Sequence, residues 1–75
     1  MMQFNGWEII VNCKDNYEIT TNETTLVVID RDNDVALAVK YVDGDLKINH
    51  INYSTDFYIN ADNKELKLVI HDFSE

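Results

Sequence analysis

Asp30, Asp32 and Asp34 carry the spacing of the first three ligands of a calcium loop, and this is the chain's nearest approach to a metal motif. Such a loop also needs a glycine at its sixth position for a sharp turn and a glutamate at its twelfth for bidentate ligation. Val35 and Tyr41 stand there instead, so the EF-hand reading fails and at most a weak calcium or magnesium contact is expected. Zinc is disfavoured as well. Cys13, His50 and His71 stand singly, without the paired spacing of a tetrahedral site.

The same residues offer little to catalysis. Alternation along the first long apolar run puts Cys13 on one face with Trp7, Ile9 and Val11, the place of a core thiol rather than a nucleophile. His50 is expected on a core face opposite Leu37. His71 is expected on the alternate face beside Val69 and Phe73, with no carboxylate set next to it by the sequence. The only glycines are Gly6 and Gly44, too few for a phosphate-cradling loop. The six cations are scattered singly among the aromatic residues and form no basic stripe, which argues against direct nucleic-acid binding. A non-enzyme without metal or cofactor is expected.

The elements that would position these groups are strands. Apolar and polar residues alternate with period two almost throughout, and Val, Ile, Thr and Tyr are abundant. Seven runs emerge: Trp7 to Cys13, Tyr17 to Thr21, Thr25 to Asp30, Val35 to Val42, Leu46 to Ile51, Thr55 to Asn60 and Leu66 to Phe73. Clusters of Asp, Asn, Gly and Lys, residues suited to turns, separate them.

A hairpin must bring apolar residues together on one face, which gives each turn a register to test. Asp43-Gly44 suits a type I′ turn and pairs Tyr41 with Leu46, Val39 with Ile48 and Leu37 with His50. The Arg31 to Asp34 loop sets Val28 opposite Leu37 and Leu26 opposite Val39. Asp62-Asn63 sets Ile59 opposite Leu66 and Phe57 opposite Leu68, and a Lys14-Asp15-Asn16 loop would pair Val11 with Ile19 and Cys13 with Tyr17. One register carries a flaw, Lys40 opposite Lys47. The expected fold is all-β: an antiparallel meander of about six to seven short strands forming a small barrel or sandwich, one domain over residues 1–75.

These registers make the middle strands apolar on both faces. Val27 and Ile29 meet Ala38 and Ala36, with Val42 nearby, where a solvated sheet face should be polar. Either a second sheet covers this surface or it serves a homodimer or another binding partner.

A chain of 75 residues lies near the size where only about 60% of the unfolded surface is buried and stability is marginal. The single cysteine excludes an internal disulfide, and no apolar leader or membrane-length run is present, so a cytoplasmic, membrane-free location is expected. Asn22-Glu23-Thr24 and Asn52-Tyr53-Ser54 then read as chance glycosylation triplets in an Asn-rich sequence.

Charge is the more informative feature. The formal charge is −8, and a meander sends successive turns to alternate ends. One end receives Asp15, Asp30, Asp32, Asp34 and Asp56 with Lys14 and Arg31. The other receives Glu23, Asp43, Asp45, Asp62 and Glu65 with Lys64. In the strand bodies Glu8, Glu18 and Asp72 balance Lys40, Lys47 and Lys67, and Glu75 lies in the tail. Two acidic rims separated by neutral faces repel nucleic acid and anionic membrane and attract basic protein surfaces. In size, acidity and lack of a catalytic constellation the chain resembles the small phage-encoded inhibitors of host nucleic-acid machinery, including anti-CRISPR proteins and DNA mimics. That resemblance is to a type and rests on no specific residue. It implies function by occupation of a surface, and the charge distribution offers Asp30, Asp32, Asp34, Asp43, Asp45, Asp62 and Glu65 as the residues that would dock on a basic one. The alternative is an assembly module that self-associates through Val27, Ile29, Ala36, Ala38 and Val42.

Overall fold

The computed structural model describes residues 2–13 and 16–71. Lys14, Asp15, Asp72, Phe73 and Glu75, which the charge and strand assignments above include, lie outside the described residues. Eight strands are described: β1 (Met2–Phe4), β2 (Trp7–Asn12), β3 (Glu18–Thr21), β4 (Thr25–Ile29), β5 (Val35–Val42), β6 (Asp45–Ile51), β7 (Thr55–Asn60) and β8 (Glu65–Ile70). They form two four-stranded sheets, ordered β1-β2-β8-β7 and β3-β4-β5-β6. No described residue is helical, and the fold is a small all-β sandwich.

The second sheet is the expected meander. Val28 faces Leu37, Leu26 faces Val39, Val39 faces Ile48 and Tyr41 faces Leu46. Asp43 and Gly44 both have positive φ, 52° and 88°, as a type I′ turn requires. Lys40 does stand opposite Lys47. In the first sheet the β7–β8 hairpin has its expected register, Ile59 on Leu66 and Phe57 on Leu68.

Four expectations are corrected. Met2–Phe4 adds a strand, folded onto β2 by Asn5-Gly6 with φ of 50° and 84°. The β2–β3 hairpin, with Val11 on Ile19 and Cys13 on Tyr17, does not form. Both edges of β2 are occupied, by antiparallel β1 and by β8 running parallel to it, and Val11 faces Leu68. β2 and β3, consecutive in sequence, therefore belong to different sheets. An irregularity between Ala38 and Val39 shifts the far half of the β5–β6 ladder, so Leu37 meets the half-buried Ile51 and the exposed His50 meets Ala38. His50 is thereby kept out of the core. A second irregularity, between Val28 and Ile29, pairs Ile29 with Val35 and turns Ala36 fully inward.

One core joins the two sheets. Phe4, Trp7, Ile9, Leu66 and Leu68 come from the first, and Leu26, Val28, Ala36, Leu37, Val39 and Leu46 from the second. The rings of Phe4 and Tyr41 meet edge to face across the sheets at 6.4 Å. The polar exception is Thr55, 5% exposed, whose Oγ1 has no hydrogen-bond partner among the described residues. Thr55→Val keeps the β-branched shape and removes an unsatisfied hydroxyl. It is expected to stabilise the domain by about 1 kcal/mol, read as a raised denaturation midpoint at unchanged slope; a lowered midpoint would show that the hydroxyl has a partner.

Candidate functional site

Hydrogen bonds tie the turns of one end to each other. The Trp7 indole Nε1–H donates to the Gly44 carbonyl at 3.0 Å, Asn5 Nδ2 donates to the Glu23 carbonyl at 2.8 Å, and the Glu8 amide donates to the Lys64 carbonyl at 2.8 Å. The Lys64 ammonium sits 5.4 Å from the centre of the Trp7 ring, within cation–π range. The Asn5-Gly6, Asn22–Thr24, Asp43-Gly44 and 61–64 turns thus meet around one buried tryptophan. The Asn22 side chain fixes its own turn by accepting from the amides of Thr24 and Thr25 at 3.0 and 2.8 Å.

Glu23, Asp43, Asp45 and Asp62 are exposed on this frame. Glu65 is half-buried and faces Glu8 across the parallel β2–β8 pair, so Glu8 belongs with this acidic end rather than with a neutral strand body. This is the rim that the sequence assembled, with one further carboxylate that antiparallel pairing alone could not have added.

The opposite end carries the β4–β5 loop. Asp30 Oδ1 accepts from the amides of Asp32 and Asp34 at 2.9 and 3.0 Å, so Asp30 is the loop's internal brace, while Asp32 and Asp34 are exposed. A shallow hollow of about 220 Å³ beside it is lined by Asn16, Tyr17, Glu18, Asp30, Arg31 and Asn33. Among the described residues no three His, Cys, Asp or Glu side chains converge as a metal site.

His71 does meet a carboxylate. Its Nε2 lies 2.9 Å from Asp56 Oδ2, both side chains being substantially exposed. The signal was present in the β7–β8 register: Asp56 faces Val69, and Ser54 lies across from His71, with its carbonyl accepting the His71 amide at 2.8 Å. Asp56 and His71 are therefore diagonal neighbours on one face. Cys13 is half-buried just beyond β2.

The apolar patch on the second sheet is smaller than expected. Ala36 belongs to the core, and Val27, Ile29, Ala38 and Val42 are half-buried on a face crossed by rows containing Thr20, His50, Lys40 and Lys47. The first sheet covers the other face, where Leu26, Val28, Leu37 and Val39 lie. A larger uncovered apolar group is on β7, where Phe57, Tyr58 and Ile59 are 36%, 59% and 40% exposed. Beside Tyr58, a groove of about 480 Å³ is lined by Ile10, Val69 and Lys67 among others. Phe57 and Ile59 share the face of Leu68 and Leu66, as their register requires, but period-two alternation gives the face and not the position of a strand within its sheet.

Comparison of the chain with known protein families, with curated proteins and with solved structures finds no match. Among the described residues no helix is long and apolar enough to cross a membrane.

Proposed function

We propose that the chain is a non-enzymatic binding protein whose acidic end occupies a basic protein surface, of the kind that ordinarily holds nucleic-acid phosphates. The observation that carries this reading is the mutual bracing of the turns bearing Glu23, Asp43, Asp45 and Asp62. Charges held on braced turns lose less freedom on docking than charges on mobile loops. A formal charge of −8 adds long-range attraction to a cationic partner and repels nucleic acid itself. An inhibitor of phage type, acting by displacing nucleic acid from its host protein, is the finer form of the proposal.

The test is capture of partners from a host lysate at low and high salt, with duplex DNA as competitor. Retained proteins should carry basic grooves, dissociate as salt rises and be displaced by DNA. Changing Asp43, Asp45 and Asp62 together to Asn should weaken capture about tenfold or more, with the fold intact because Asn-Gly suits a type I′ turn as well as Asp-Gly. Asp30, Asp32 and Asp34 changed together to Asn keep the Oδ1 brace of the β4–β5 loop and report on the opposite end. Binding indifferent both to salt and to the two triple variants would remove the acidic ends from the function.

A further inference from the structure

We infer that the open edge of β7 is a self-association site, at which two copies of this chain join their β1-β2-β8-β7 sheets by antiparallel β7–β7 pairing. The four strands that end the two sheets differ in how they discourage pairing. β1 has three residues. β3 has four, with Glu18, Thr20 and Thr21 exposed, and β6 presents Asp45 and Lys47 and carries the irregular half of its ladder with β5. Short length, charge and bulges are the usual protections of an edge. β7 has six residues in an unbroken register with β8, one charged side chain, and three consecutive exposed apolar residues.

Its backbone is oriented for pairing. The Ser54 carbonyl accepts the His71 amide, which makes Ser54 and His71 a hydrogen-bonded pair of the β7–β8 ladder. Such pairs alternate with non-bonded ones along an antiparallel ladder. Asp56, Tyr58 and Asn60 therefore point their amides and carbonyls at β8, while Phe57 and Ile59 point theirs away from it. Among the described residues no strand lies on that side.

The strand complements itself. A two-fold axis through Tyr58 sets Phe57 opposite the second copy's Ile59 and Ile59 opposite its Phe57, each pair exchanging two backbone hydrogen bonds. It also sets Tyr58 on Tyr58 and Asp56 on Asn60, so no like charges meet. Moving the axis to Ile59 sets Asp56 opposite Asp62, which disfavours that register. The interface is small, and a dissociation constant of about 10–100 µM is expected. Each copy carries −8, so added salt screens the repulsion and strengthens the dimer, the opposite of its effect on an acidic end docked to a basic partner.

Sedimentation from about 10 µM to 1 mM protein, at low and high salt, tests this together with hydrogen exchange at both concentration limits. The mass should rise from 8.7 kDa towards twice that value, more readily at high salt, and the Phe57 and Ile59 amides should become slower to exchange only in the dimer. Tyr58→Lys, at a solvent-facing position, should keep the monomer's melting curve and raise the dissociation constant at least about tenfold. Ile59→Pro, which removes an outward amide and no bond to β8, should raise the dissociation constant likewise, with a lower melting temperature because part of the Ile59 side chain is buried. A wild-type chain that stays monomeric at 1 mM overturns the inference, as does a dimer whose Phe57 and Ile59 amides exchange at the monomer's rate. Slowed exchange at those amides only when another protein is added assigns the edge to that partner and likewise overturns self-pairing.

Discussion

Trp7→Ala is expected to leave the domain largely unfolded at room temperature or to lower its melting temperature by more than about 12 °C. Trp7 is 1% exposed, and its removal from the core should cost about 3–5 kcal/mol. A domain of this length has a total stability of only about 4–11 kcal/mol. The loss goes beyond volume. The indole N–H binds the Gly44 carbonyl, and the ring carries the Lys64 ammonium, so one side chain holds together the β5–β6 and β7–β8 turns. Trp7→Phe separates the contributions: it retains most of the apolar contact, abandons the Gly44 carbonyl, and should cost about 1–3 kcal/mol. Urea titrations followed by circular dichroism decide the matter. A midpoint for Trp7→Ala within experimental error of the wild type would mean that the tryptophan is not the keystone of the acidic end.

That prediction bears on function because the carboxylates and the core share a support. Asp43 precedes the glycine whose carbonyl receives the indole, and the neighbouring turn bearing Asp62 ends at Lys64, over the indole ring. Loss of Trp7 should therefore disperse the charges of the acidic end without removing any of them. Salt-dependent capture should fall with Trp7→Phe even where the domain remains folded, an effect distinct from neutralising Asp43, Asp45 and Asp62.

The parts of the fold that were legible beforehand are those encoded by local turns. Asp43-Gly44 announced both its positive φ angles and the alignment of Tyr41 with Leu46. Asn5-Gly6 carries the same kind of signal and pairs Phe4 with Trp7, but β1 is so short that no alternating pattern drew attention to it. The two irregular positions in the second sheet were illegible for another reason. One extra residue reverses the face of everything beyond it, and no glycine or proline marks either place, so His50 and Ala36 were each assigned to the wrong side. The parallel β2–β8 pair is the least local feature of all. The whole of the second sheet intervenes in sequence, and apolar alternation in Ile9, Val11, Leu66 and Leu68 says only that these residues are inside, not that the two strands adjoin. Of the candidate site, the grouping of Glu23, Asp43, Asp45, Asp62 and Glu65 at one end was legible from turn order, whereas the hydrogen bonds bracing them were not. The β7 edge was hidden because strand order within the sheet depends on that parallel pair.

Leu68→Ala tests the same non-local pairing. Leu68 is fully buried, with Val11 on one side and Phe57 on the other. Its truncation should cost about 2–5 kcal/mol. Phe57→Ala removes a larger side chain from the same cross-strand row, yet Phe57 is 36% exposed at the sheet's margin and should cost about 1–2 kcal/mol. Both variants are to be compared at low micromolar concentration, where β7–β7 pairing does not contribute. The ordering carries the argument: chemistry alone would make the phenylalanine the more costly loss, and only the placement of β8 inside the sheet with β7 at its rim reverses the two. If Phe57→Ala lowers the urea midpoint more than Leu68→Ala at equal slope, β7 is not an edge strand. Both the parallel β2–β8 contact and the self-pairing surface built upon that strand order then fall together.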